Sequence, residues 1–375
     1  MKVFKKGIVI TVIASLFLMG GCGGNSTVGE GDVIHFALAG PLETLDSLGF
    51  QKGMELAISE INEAGLLGGK TISVDPYEDK EDLTEGIKVA QKVSAAGKYS
   101  ALIGHFSSNI ALATKNTYDD NKVLVLSPMI SNIEFTAPAL DYIFRNVASD
   151  EAEVEKLLQY AADMEYMNLA VYYRNNDYGS QLSSVVNKRA KDFGITVVDS
   201  HGDFVNALEF ENQYEKWMAM DVDAIFVGDS MPDAEDVVKM IRGTNPTIPI
   251  LGAGGFAFSD ILASLGDAAN GITFIDSFHF DSETDKLQKF TKAFQTAYGE
   301  EPGYLSLIGY DTIYLLSDAI EKGGSADPVV IADTLKNKGP WVSCTNEFTF
   351  DEAGNAIGIN LPIVEIVNGT YRYLK

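Results

Sequence analysis

The chain has 375 residues, of which 53 are Asp or Glu, 28 are Lys or Arg and four are His, giving a formal net charge of −25. That length suffices for two buried cores. The charge argues against nucleic acid, whose backbone must be met by positive charge, and against a strongly anionic ligand, while a zwitterion or a cation meets no such barrier.

The N-terminus carries a basic head (Lys2, Lys5 and Lys6), an apolar run over residues 8–19, and Gly20-Gly21-Cys22. Basic head, apolar core and small-residue cleavage site together make an export signal. The run is too short to cross roughly 30 Å of hydrocarbon as a helix. Cys22, directly after two glycines, stands where a bacterial lipoprotein signal places the thiol that takes diacylglycerol. The expectation is a signal peptide over 1–21, lipidation at Cys22 and a small polar tether over 22–32. Cleavage removes three lysines and no acids, leaving 25 basic residues against 53 acidic ones. The anchor, not the body, then does the membrane work. Only Cys344 remains for the folded body, which rules out an internal disulfide and suits a buried small hydrophobe.

From residue 33 apolar strands alternate with amphipathic helices. The pattern predicts strand 33–38, helix 50–61, strand 72–74, helix 83–95, strand 101–103, helix 109–118 and strand 123–126. It pauses at 142–144 and restarts with helix 154–164, strand 169–172, helix 180–193, strand 196–198 and helix 210–218. Strand 224–227, helix 234–241 and strands 248–251 and 272–274 follow, then helices 286–297 and 305–319. Strands 348–350, 363–366 and 370–373 close the chain, joined by Asp351-Glu352-Ala353-Gly354-Asn355 and Asn368-Gly369 turns. Continuous apolar strands between amphipathic helices indicate parallel α/β layers. Two such blocks make two lobes, with a cleft where the carboxyl ends of the strands face each other.

The loops leaving those strand ends are small and polar. Gly104-His105-Phe106-Ser107-Ser108 runs from a strand into a helix, so Ser107 or Ser108 can cap that helix, and its first-turn N–H groups can hold a carboxylate. Ser127-Pro128-Met129-Ile130-Ser131 repeats the arrangement one strand later, and two serine-rich strand ends side by side can share one carboxylate. Asn175-Asn176-Asp177-Tyr178-Gly179 opens a helix of the second block, where Tyr178 offers a rigid amphipathic surface to cover a small ligand. Asp229 follows strand 224–227 at the cleft rim, either as partner of a ligand ammonium or as a solvated loop acid.

Enzyme signatures fail. His35, His105, His201 and His279 lack metal-ligand spacing. Gly252-Ala253-Gly254-Gly255 is neither a phosphate loop nor a dinucleotide fingerprint, and no Gly-x-Ser-x-Gly elbow occurs. No cofactor is expected.

Over residues 33–373 the chain resembles the periplasmic leucine/isoleucine/valine-binding proteins of branched-chain amino acid ABC transporters. The matching stretches are Ala39-Gly40-Pro41-Leu42 with Gly49, Gly53-x-x-Leu56-Ala57-x-x-x-Ile61-Asn62-x-x-Gly65, and Leu102-Ile103-Gly104-His105-x-Ser107-Ser108. Leu126-Ser127-Pro128, Tyr142-Ile143-Phe144-Arg145-Asn146 and Asp177-Tyr178-Gly179 follow, then Ile308-Gly309-Tyr310-Asp311 and Phe350-Asp351-x-x-Gly354. The resemblance implies the bilobal type I periplasmic-binding-protein fold, two parallel-sheet Rossmann-like lobes joined by a three-strand hinge. Crossings are expected near Asn146–Ser149, Asp276–Ser277 and Phe350–Glu352, which puts residues 33–149 and 277–350 in lobe 1, and 150–276 and 351–375 in lobe 2.

Carried over by position, the resemblance implies carboxylate binding at Ser108, a backbone-carbonyl contact at Met129, a hydroxyl contact at Ser131 and a lobe-2 aromatic at Tyr178. Three positions depart from the family pattern: its first-lobe aromatic is Leu48 here, its second-lobe aromatic is Ser230, and the glutamate that pairs with the ligand ammonium falls on Gly254. Asp229 is the expected replacement for that glutamate. The implied function is an extracytoplasmic, lipid-anchored, monomeric receptor that captures an apolar, branched-chain-like amino acid by lobe closure and delivers it to an ABC permease. The alternatives are a receptor for a non-amino carboxylate or amide, a ligand sensor serving a signalling partner, and an enzyme.

Overall fold

The structure, a computed structural model, describes residues 32–258, 260–276 and 284–374. The expected signal peptide, Cys22, nearly all of the tether and Ser277 at the second crossing lie outside the described residues.

The first sheet is wholly parallel and contains β1 (Val33–Gly40), β2 (Thr71–Glu78), β3 (Tyr99–Gly104), β4 (Val125–Ser127) and β5 (Ile143–Arg145), in the order β2-β1-β3-β4-β5. Ile34, Phe36 and Leu38 of β1 point to one face, where they meet the helices Phe50–Ala64 and Tyr304–Gly323. Ala37 and Ala39 point to the other, against Val89, Val93, Ala111 and Tyr118. Both faces are therefore dry, as a parallel sheet requires. The two helices on the first face touch backbone to backbone: a Cβ at Gly53 would fall 1.8 Å from the Ser306 carbonyl oxygen, and one at Gly309 would fall 2.2 Å from that of Phe50. Only glycine fits either place.

The second sheet holds β6 (Asn168–Tyr173), β7 (Thr196–His201), β8 (Ala224–Gly228), β9 (Ile250–Gly252) and β10 (Ile272–Ile275) in parallel. Later in the chain, β11 (Trp341–Val342), β12 (Glu347–Phe350) and β13 (Ala356–Ile357) form a small antiparallel sheet of their own. Hairpin β14 (Ile363–Val367) and β15 (Thr370–Leu374) adds antiparallel strands beyond β10, giving the order β15-β14-β10-β9-β8-β6-β7. The hairpin turns on Asn368 and Gly369, both at positive φ (51° and 69°), the backbone that the Asn-Gly pair favours. Leu169 and Val171 pack with Leu157 and Leu182 on one face of this sheet, and Ala170 and Tyr172 with Phe210 and Trp217 on the other.

The order in which strands are added reverses between β1 and β3 in the first sheet and between β6 and β8 in the second. The crevice outside the carboxyl ends of the strands at such a switch is where open α/β sheets hold ligands. Near the end of the chain the structure departs from expectation. β13 still pairs with β12, and Ala356 and Ile359 pack on the first core, so the last passage between cores falls over residues 360–362 rather than at Phe350–Glu352. The helix Pro328–Asn337, started by Asp327 with proline in its first turn, was not among the predicted elements. Cys344 is buried and free.

Candidate ligand-binding cleft

The loops after β3 and β4 from one sheet, and after β6, β8 and β9 from the other, converge on a cleft of about 530 Å³. Of the residues expected there, Ser107, Ser108, Met129, Ser131, Tyr178, Ser230 and Gly254 all line it. Leu48 and Asp229 do not.

The helix Ser108–Asp120 begins at Ser108 with Ser107 in the capping position, but no side chain caps it. The Ser107 hydroxyl donates instead to Asn109 Oδ1 at 2.8 Å. The first-turn N–H groups thus face the cleft without a side-chain acceptor, at the positive end of the helix, where an anion is favoured. A buried network sets this loop. His105 Nδ1 lies 2.6 Å from Asp79 Oδ2, and its Nε2 lies 2.9 Å from the Tyr118 hydroxyl. The Ser127 hydroxyl donates to the His105 carbonyl at 3.2 Å and accepts from the Ile130 N–H at 3.2 Å, which ties the two serine-rich strand ends together. Ser127 is therefore a brace, and Ser131 is the serine of that loop that lines the cleft.

Across the cleft the acid is not the expected one. Asp229 is buried at 1% exposure; its Oδ1 accepts from the Ser230 N–H at 2.8 Å and its Oδ2 faces Arg174 at 3.6 Å. Its carboxylate has folded back on its own backbone, behind the wall of the cleft. Burial raises its pKa to about 6. Glu153 stands in the cleft instead, projecting from the first turn of the helix Asp150–Asp163. Its Oε2 accepts from the Gly254 N–H at 2.8 Å, and a Cβ on Gly254 would lie 2.4 Å from its Oε1. Residue 153 thus brings a carboxylate against the backbone of position 254, where the resemblance expected a glutamate, and it needs glycine there to approach so closely. Gly255 allows the same approach to Tyr178, whose phenol oxygen accepts from the Gly255 N–H at 3.2 Å.

Leu48 ends the short helix Leu42–Ser47, and its side chain is 52% exposed, outside the cleft. Aromatic cover comes from Phe106, Phe258 and Tyr304, which the sequence did not single out. Phe258 and Tyr304 stack with centroids 4.9 Å apart, and Phe106 packs edge-on against Phe50 at 5.0 Å. Burial, and then the Glu153 carboxylate, hold the phenols of Tyr178 and Tyr304 well above their ordinary pKa, so both keep their protons.

Among the described residues the lining includes the acids Glu81, Glu153 and Asp177 and no Lys, Arg or His. A carboxylate here can be held only by neutral donors, namely hydroxyls and helix N–H groups, while a cation finds Glu153. The lining thus combines neutral donors with carboxylates.

Comparison with known proteins agrees with this architecture. A family profile described as periplasmic binding protein matches residues 36–370. Leu/Ile/Val-binding protein homolog 1 of Brucella abortus is 28% identical over 307 residues, spanning 81% of this chain and 82% of that protein. The leucine-, isoleucine-, valine-, threonine-, and alanine-binding protein of Pseudomonas aeruginosa is 26% identical over 89% of this chain and 90% of its own length. The crystal structure of an ABC transporter substrate-binding protein from Desulfitobacterium hafniense in complex with Leu superposes with a TM-score of 0.81, at 28% identity, over 91% of this chain and all of that one.

Proposed function

The chain belongs to the family of periplasmic binding proteins, and from that premise we propose that it is the solute receptor of an ABC importer, capturing an apolar, branched-chain-like amino acid between its lobes. The observation that carries the reading is the pairing of an uncapped helix start at Ser107 and Ser108 with the Glu153 carboxylate held on Gly254. The first holds the ligand carboxylate, and the second holds its ammonium, together with the Met129 carbonyl and the Ser131 hydroxyl. An ammonium enclosed by closure must be paired, because an uncompensated buried charge is expensive. Phe106, Phe258 and Tyr304 supply apolar surface for an aliphatic side chain, the part Leu48 was expected to play.

In this reading the described parts of the lobes are residues 33–149 with 284 to about 359, and 150–258 and 260–276 with about 360–374, which the shared sheets and cores support. The protein works outside the cytoplasm as a monomer, held to the membrane by lipid on Cys22, and passes its ligand to a permease. No helix among the described residues is long and apolar enough to cross a membrane. No catalytic step is assigned.

Calorimetry of the protein against leucine, isoleucine and valine and their deaminated counterparts tests the reading. Amino acids should bind and the deaminated acids should bind far more weakly. Equal affinity for both sets, or binding of neither, overturns it.

A further inference from the structure

Asp150 occupies the first position of the helix Asp150–Asp163, one turn before Glu153. It is fully buried, and neither carboxylate oxygen has a hydrogen-bond partner among the described residues. A buried carboxylate without partners is costly, and such a group in a folded protein calls for a reason. Its neighbours do not neutralise it. The cation facing it is Arg145 from β5, but that guanidinium is committed elsewhere. It donates to the carbonyls of Ser131 at 2.8 Å and Asn132 at 2.7 Å, to Asn355 Oδ1 at 2.8 Å and to Thr136 Oγ1 at 3.1 Å. Asp351 stands behind Arg145. On its own helix Asp150 has Glu153, and from the helix Asp177–Arg189 it has the Tyr178 phenol, which feels both acids.

The remaining neighbour is Ser131. The Asp150 N–H donates to the Ser131 carbonyl at 3.0 Å, and the Ser131 hydroxyl stands beside the Asp150 carboxylate without reaching hydrogen-bond geometry. Ser131 also lines the cleft, so one small side chain lies between a buried anion and the place a ligand would occupy.

We propose that Asp150 is a positioning residue for the amine end of the cleft: on closure its carboxylate accepts the Ser131 hydroxyl proton, which turns the Ser131 lone pairs toward the ligand ammonium. The inference rests on the amino acid reading above and deepens it, because it names what makes a serine prefer a cation. A hydroxyl can donate or accept, and an ionised acceptor behind it fixes which. With Asp150 protonated the roles reverse. The carboxyl donates to Ser131 Oγ, and the hydroxyl proton points into the cleft, where it repels an ammonium.

Burial pushes Asp150 up to about 6, which puts that reversal at mildly acidic pH. The ammonium stabilises the ionised carboxylate, so the bound form has the lower pKa, and binding near pH 6 releases a proton. Affinity for the amine therefore rises with pH and levels off above the pKa of the unliganded form. At a pH one unit below that value the loss is up to about tenfold.

The test is calorimetry between pH 5 and pH 8 with leucine and 4-methylpentanoate, on the protein and on Asp150→Asn. The wild type should lose up to about tenfold in leucine affinity from pH 7.5 to pH 5, and at pH 6 its binding enthalpy should vary with the ionisation enthalpy of the buffer. Asp150→Asn should bind leucine at pH 7.5 several-fold more weakly, with a flatter pH profile and little change for 4-methylpentanoate. Ser131→Ala keeps the acid and removes the relay. It should flatten the profile in the same way, and the double variant should be no worse than the weaker single one. If Asp150→Asn does not fold, the Ser131→Ala profile decides alone. A wild-type pH profile in either single variant, or additive losses in the double, overturns the inference while leaving the amino acid reading in place. A wild type that binds 4-methylpentanoate in preference to leucine overturns both.

Discussion

Glu153→Gln removes one negative charge from the cleft. Glutamine has the same length and keeps an amide oxygen that can accept from the Gly254 N–H, the 2.8 Å bond that now holds the carboxylate in place. The side chain comes from the first turn of a helix capped by Ser149 through the Ala152 N–H at 3.2 Å, so the scaffold does not depend on the charge. An ammonium enclosed beside it loses its counterion, and truncating one partner of such a buried charge pair costs about 2–5 kcal/mol, which is roughly thirtyfold to several thousandfold in Kd. A ligand with a carboxylate and no amine should respond in the opposite sense. Glu153 repels it, so its affinity should stay level or rise. Titration calorimetry with leucine and 4-methylpentanoate, on wild type and variant at pH 7.5, reads both. Equal loss for the two ligands would refute the pairing and show that Glu153 serves only as a prop for the loop at Gly254. A second variant sharpens the point. Glu153→Ala combined with Gly254→Glu returns a carboxylate to the same spot from the other side and should recover part of the leucine affinity. Glu153→Ala alone should not.

Ser108→Ala should weaken amino acid binding by about 1–3 kcal/mol, since a carboxylate held without any basic residue loses a charged hydrogen bond. Its thermal midpoint should hold, because neither Ser107 nor Ser108 caps the helix through its side chain. Asp229→Asn should leave the ratio of leucine to 4-methylpentanoate affinity unchanged, because that carboxylate is turned back onto Ser230 and Arg174. It should instead change the dependence of stability on pH. Asp229 is raised by burial to about 6 in the folded protein, above about 3.9 in the unfolded chain, so the folded state keeps its proton longer. That contribution is fully present below about 3.9 and is lost as pH rises through about 6. Urea midpoints should therefore climb between pH 7.5 and pH 5 by more in the wild type than in Asp229→Asn, and identical slopes would show that Asp229 titrates normally.

The fold could be read from the sequence because its signals are local and repeated. An apolar run such as Ala101-Leu102-Ile103 can only be buried on both sides, and a stripe such as Met54, Ala57 and Ile61 commits a helix to one face. The family stretches also have plain structural reasons. Gly53 and Gly309 let two helices touch, and Asp311 accepts from the Cys344 N–H at 2.9 Å. What escaped was the chain's route after Phe350. There Asp351 folds its own turn by accepting from Ala353 and Asn355, so that β13 returns to β12, and nothing in the composition of that stretch says which core the next residues join.

The site was legible where its parts are backbone and lost where they are side chains reaching across the cleft. Ser108 and Tyr178 are placed by the strand before them and the helix after them, a relation of a few residues. The proposed ammonium partner has no such address. A carboxylate at one point in space can be supplied from any wall around it, and the only trace that a change of wall leaves in sequence is the small residue that makes room. Gly254 is that trace. It looks like a loss, and Asp229, the acid next to Ser230, is the replacement the sequence suggests, although the backbone N–H of Ser230 captures that carboxylate. Glu153, 101 residues before Gly254, looked like one more surface acid of an amphipathic helix, among three in the same first turn. Its position on the helix separates it: Glu151 sits in an ion pair with Arg189 at 3.8 Å on the outer face, while Glu153 lies two residues on, about 200° round the helix, turned toward the cleft. A glycine where a charge is expected is therefore a reason to look for the charge on the facing helix, and the Glu153→Ala, Gly254→Glu exchange tests whether the site depends on where the carboxylate stands or on which residue carries it.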